Sequence, residues 1–105
     1  MTVYKPYIPQ GVSELMDHLA GMMLGSPKLE DRTGYFPGMN LESTFYELGE
    51  GLKTVRKKLG DEKYVALVDL STRMRVHFEK DPEDETGEAI KGRELIHEME
   101  NILKE

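Results

Sequence analysis

Leu41, Phe45, Leu48, Leu52, Val55 and Leu59 recur at alternating steps of four and three residues, the spacing that returns side chains to one face of an α-helix. Asn40 stands in front of this run as a good N-cap, and Glu42 favours the first turn. Lys53, Arg56, Lys57 and Lys58 gather near the far end, where the helix dipole favours positive charge, and Gly60 follows as a stop. Gly49 and Gly51 interrupt the run, so they either admit another element closely or kink the helix.

Three further runs have the same period. Val12, Leu15, Met16, Leu19, Met22 and Met23 predict a helix over 12–24, with Ser13 as a candidate cap and Gly25-Ser26-Pro27 as its end. Its methionines read as core filling at helical spacing. Tyr64, Leu67, Val68, Ser71, Met74 and Phe78 predict a helix starting near Asp61. The joint at Gly60-Asp61 is so short that this helix should fold back on the previous one as an antiparallel hairpin. Leu95, Ile96, Met99, Ile102 and Leu103 predict a last helix, secure over 90–103. Asp81-Pro82 reads as an N-cap followed by proline at the first helical position, with Asp84 three residues after the cap. That helix therefore begins between Pro82 and Glu88. No segment alternates with period two, so the expected fold class is all-α, a small antiparallel four-helix bundle.

Two stretches fall outside the helical pattern. In residues 1–10, Val3, Tyr4, Tyr7 and Ile8 are interleaved with Pro6 and Pro9, which favours an extended arm docked on the protein's own bundle or on a second copy. The Pro6–Pro9 spacing also matches a PxxP ligand, a pattern common by chance. Residues 25–39 hold three glycines and two prolines and form a long connection. Tyr35 and Phe36 sit there side by side. Phe36 is expected to plug the end of the bundle, whereas the Tyr35 hydroxyl can stay wet while its ring meets a partner. A protein-binding hot spot is expected at Tyr35, Phe36 and Met39, with Arg32 at its rim.

A chain of 105 residues, 38% hydrophobic and 32% charged, is one domain over 1–105, too apolar for a disordered chain and too polar for a membrane protein. No run approaches the length of a membrane span, and MTVYKPYIPQ has no apolar stretch of the signal-peptide kind. The absence of cysteine excludes disulfides, thiolate zinc sites and thiol nucleophiles, and makes a cytoplasmic location the expectation. Residues 1–60 carry seven acids and seven bases. Residues 61–105 carry thirteen acids against seven bases, which accounts for the whole formal charge of −6. That field disfavours nucleic acid and steers basic partners.

The acids concentrate in Glu79–Glu88, six carboxylates in ten residues. Asp81, Glu83 and Glu85 match the first side-chain ligands of an EF-hand, but Thr86 stands where that loop needs glycine and Gly92 where it needs glutamate. The stretch reads instead as a solvated helix start, with Asp81, Glu83, Asp84 and Glu85 available to a basic partner. Glu94 and His97 form a Glu-x-x-His step on one helix face, and His18 has Glu14 one turn away. A di-iron bundle needs two such steps and two further glutamates, so Glu14, His18, Glu94 and His97 are only weak metal candidates. No serine sits in a glycine-flanked elbow, and Gly34 to Gly38 lacks the lysine and hydroxyl of a P-loop. The Lys53–Lys58 cluster matches its own helix dipole better than a nucleic acid.

The expected function is therefore a non-enzymatic, cofactor-free protein-binding module of inhibitor, immunity, adaptor or chaperone type. It would use an aromatic loop and an acidic C-terminal region, and contact neither nucleic acid nor membrane. Two alternatives remain: a structural homo-oligomer assembled through the 41–59 seam or the N-terminal arm, and a metal-dependent helical-bundle enzyme.

Overall fold

The computed structural model describes residues 7–30 and 40–105 and contains four helices: α1 (Val12–Gly25), α2 (Leu41–Leu59), α3 (Asp61–Lys80) and α4 (Glu88–Lys104). α2 starts as its sequence predicts. Asn40 Oδ1 accepts from the Ser43 N–H and Ser43 Oγ accepts from the Asn40 N–H, both at 2.9 Å, a reciprocal capping box. α1 starts differently, since Gly11 occupies the N-cap and Ser13 lies inside the helix. At the α2–α3 corner Gly60 has φ 92° and ψ 156°, a region essentially closed to side chains. Its N–H donates to the Arg56 carbonyl at 2.8 Å. Arg56 then closes the corner, with Nε 2.8 Å from Asp61 Oδ1 and its guanidinium 4.6 Å from the centre of the Tyr64 ring.

Each helix packs against the next, and α4 returns to α1, which closes an up–down four-helix bundle. Leu15, Leu19, Met22, Leu48, Leu52, Leu67, Met74, Phe78, Ile96 and Met99 are buried at its centre. The α2 seam is buried at Phe45, Leu48, Leu52 and Val55, with Leu41 and Leu59 packed at its edges. The seam therefore fills the protein's own core. The inward face of α3 is also turned from the expected one, because Leu70 is buried while Val68 is exposed. On α4, Ala89 and Gly92 are buried. A Cβ on Gly92 would stand 2.4 Å from Cε1 of Phe78, so the ring occupies the space of the missing side chain.

Residues 7–10 of the arm dock on α2. Pro9 is buried over Gly51, whose Cβ would stand 3.0 Å from both Pro9 Cβ and Leu15 Cδ2. Thr54 Oγ1 donates to the Pro9 carbonyl at 2.8 Å, and the Tyr7 N–H donates to Glu47 Oε2 at 2.6 Å. Gly51 thus serves close approach, whereas nothing lies within 4 Å of a Cβ at Gly49. Tyr4 falls outside the described residues. Among those residues no helix is long and apolar enough to cross a membrane.

Candidate functional site

Up–down topology brings the end of α1, the start of α2, the end of α3 and the start of α4 to one end of the bundle. The two long connections of the chain, after α1 and after α3, leave from that end. The second is organised by Asp81, which is 2% exposed. Asp81 Oδ1 accepts from the N–H groups of Glu85 (2.7 Å) and Thr86 (3.1 Å), and Oδ2 accepts from the N–H of Ala89 (3.0 Å). Ala89 is the second residue of α4, whose cap position is Gly87, a residue with no side chain to offer. Asp81 therefore caps α4 from outside the helix while ending α3. Burial pushes its carboxyl up, but the N–H groups of Ala89, Glu85 and Thr86 together with the Thr86 hydroxyl outweigh it and bring its pKa to about 2, below the ordinary 3.8.

A second bond spans the same joint. His77 Nδ1, in the last turn of α3, donates to Glu88 Oε2 in the first turn of α4 at 2.6 Å. That bond holds the Glu88 carboxyl below its ordinary range against the effect of partial burial. The two connections are also tied to each other. Arg93 reaches Ser26 Oγ with Nε (3.2 Å) and Asp84 Oδ2 with Nη2 (2.5 Å), and Lys28 Nζ lies 3.0 Å from Glu83 Oε1. On the α1 side the backbone is held by Leu29, buried despite a φ of 57°. A left-handed leucine costs about 1–2 kcal/mol, which burial of its side chain offsets by a similar amount.

These contacts redistribute the four acids expected to face a partner. Asp81 is turned inward and committed to its own backbone. Glu83 and Asp84 are exposed but paired with Lys28 and Arg93. Glu85 is exposed and, among the described residues, its side chain makes no ion pair. Arg32, Tyr35, Phe36 and Met39 lie outside the described residues. Glu30 and Asn40, which flank that stretch, line a groove of about 390 Å³ whose wall includes Leu41, Arg75, Phe78 and Pro82.

The weak metal candidates do not assemble. His18 Nε2 donates to the Thr44 carbonyl at 3.1 Å, His97 Nδ1 pairs with Glu100 at 3.1 Å, and Glu14 accepts the Tyr7 hydroxyl. Glu94 is exposed on α4. Among the described residues no three His, Asp or Glu side chains form a group that could hold a metal ion.

Sequence reasoning missed the His77–Glu88 bond because those residues sit on different helices. It missed Arg93 for the same reason. The role of Asp81 had a signal, since a helix that opens behind glycine needs an acceptor from elsewhere for its first N–H groups. No family model, curated protein or solved structure matches the chain.

Proposed function

We propose that the chain is a small protein-binding module that engages its partner with the end of the bundle where the two long connections meet. One observation carries this reading: the topology puts both connections at the same end, and Lys28–Glu83 and Arg93 hold them together. Glu85, with Glu83 and Asp84 behind it, provides the field that steers a basic partner. Tyr35, Phe36 and Met39, with Arg32 beside them, supply the anchor. The activity is stoichiometric binding, of the inhibitor, immunity, adaptor or chaperone kind, with no cofactor and no nucleic acid or membrane contact. A chain without cysteine suits the reducing cytoplasm.

The test is gentle affinity purification from native cells, with mass spectrometry of what co-elutes in near-equal amount. A basic protein released by salt, and lost from Tyr35→Ala and Glu85→Lys variants that melt like the parent, supports the reading. If Tyr35→Ala and Phe36→Ala both lower the melting temperature and leave capture unchanged, the aromatic stretch serves the core and the proposed anchor is wrong.

A further inference from the structure

Proline follows aspartate at a single place in the chain, Asp81-Pro82, where α3 passes into the connection before α4. That peptide bond carries a chemistry of its own. Its nitrogen is a tertiary amide, which takes a proton and leaves more readily than a secondary one. The aspartate carboxylate is already tethered within reach of the adjoining carbonyl. The reaction open to the pair is an acyl transfer within one residue. A side-chain oxygen of Asp81 bonds to its own main-chain carbonyl carbon, the bond from that carbon to the Pro82 nitrogen breaks, and the nitrogen takes a proton from acidic water. Water then opens the cyclic anhydride, which leaves two carboxyl groups on Asp81 and a free amine on Pro82, with a single water molecule consumed.

The fold withholds the nucleophile. Asp81 is 2% exposed, although Pro82 beside it is exposed. Both attacking oxygens are engaged: Oδ1 accepts from the N–H groups of Glu85 (2.7 Å) and Thr86 (3.1 Å), and Oδ2 from that of Ala89 (3.0 Å). The neighbouring charges are committed to one another, His77 on α3 to Glu88 on α4 and Asp84 in the connection to Arg93 on α4. The carboxylate is therefore held by N–H groups and the Thr86 hydroxyl. Its main-chain carbonyl accepts from the Asp84 N–H at 3.1 Å, a bond that polarises the carbonyl and favours attack. Protection thus rests on the carboxylate alone. Turning it onto its own carbonyl would break its three N–H bonds and uncap α4.

We propose that the Asp81-Pro82 bond is an acid-cleavage site that the α3–α4 joint keeps closed, and that the carboxylate capping α4 is the nucleophile that cuts the chain once the cap is released. The products are residues 1–81 and 82–105. The second carries all of α4 with its buried Leu95, Ile96, Met99 and Leu103, so the cut removes one wall of the core. This inference stands apart from the partner-binding reading, and either can fail alone.

Hydrolysis is slow beside opening and closing of the joint, so its rate follows the population of the open form. The test incubates the full chain at about pH 3, above the pH at which Asp81 takes up its proton in the fold. The samples run from sodium sulfate, which favours the folded state, through plain buffer to urea, which favours the unfolded one. Circular dichroism gives the fraction folded in each sample, and mass spectrometry the fragments. The unfolded chain should be cut at this bond at least about tenfold faster than the folded chain. In urea, where folding no longer enters, Asp81→Asn should abolish the cut. A folded chain cut as fast as the unfolded one overturns the proposal. So does an unfolded chain that stays intact at this bond, or an Asp81→Asn chain cut at the parental rate.

Discussion

The chain reverses direction between α2 and α3 at one residue, and between α3 and α4 over seven residues, Asp81 to Gly87. The first corner turns on a backbone conformation, with the exposed Arg56–Asp61 pair laid over it: Gly60 adopts a conformation closed to side chains, and nothing lies within 4 Å of where its Cβ would stand. The second is solved by a buried carboxylate that accepts three backbone N–H groups, helped by a histidine–glutamate bond between the helices. A corner made by glycine is local and insensitive to pH. A corner made by an aspartate depends on solvent exclusion and charge, and its residues lie where the bundle presents its connections.

The contrast is broken most severely beside the second corner, where the Phe78 ring fills the space above Gly92. Gly92→Ala should cost about 3 kcal/mol, because the ring must leave a close-packed site between α3 and α4. Thermal or urea unfolding checks this, and a change near zero would mean that α4 can shift freely on α3.

Asp81→Ala is expected to lower the melting temperature less than Gly92→Ala and more than any change at Gly60. The pH dependence identifies the cause. A carboxyl depressed to about 2 from 3.8 contributes stability that is fully present above about pH 4 and is lost as pH falls through about 2. The gap between the parent and Asp81→Asn should therefore narrow over that window. A gap that stays constant there would show that the carboxylate charge is not what holds the joint.

Gly60→Ala should cost about 2 kcal/mol, through backbone strain alone, and the loss should not change with pH. Chemical unfolding at neutral and acidic pH separates the two corners on this point. The smallest expected effect is a gain. Thr44 is 1% exposed and its hydroxyl has no partner among the described residues. Thr44→Val should stabilise the chain by about 1 kcal/mol, and a loss would reveal a partner for that hydroxyl.

The local parts of this molecule were legible from residue order. The α2 boundaries, its Asn40 cap, the Gly60 stop and the inward stripe depend on groups within a turn of one another, so spacing reveals them. Residues acting across elements were not legible in this way. Asp81 looked like an N-cap with proline behind it, which left the helix start anywhere from Pro82 to Glu88; the helix begins at Glu88, and Asp81 caps it from a distance because folding the intervening residues around the carboxylate satisfies three N–H groups at once. His18 and His97 were weak metal candidates while only their own helices were in view, and each is bonded to a nearby oxygen.

The sequence by itself determined an all-helical chain, four helices, their approximate limits and the side chains that could fill a core, since these follow from periodicity and from the chemistry of caps and stops. Only the tertiary structure decided that the α2 seam is consumed inside the bundle, that Leu70 and not Val68 faces inward, and that Asp81 serves α4. It also decided that the two long connections share an end. The physical reason is common to all four: burial and hydrogen-bond satisfaction are settled between helices, and no spacing along one helix records what the neighbouring helix brings.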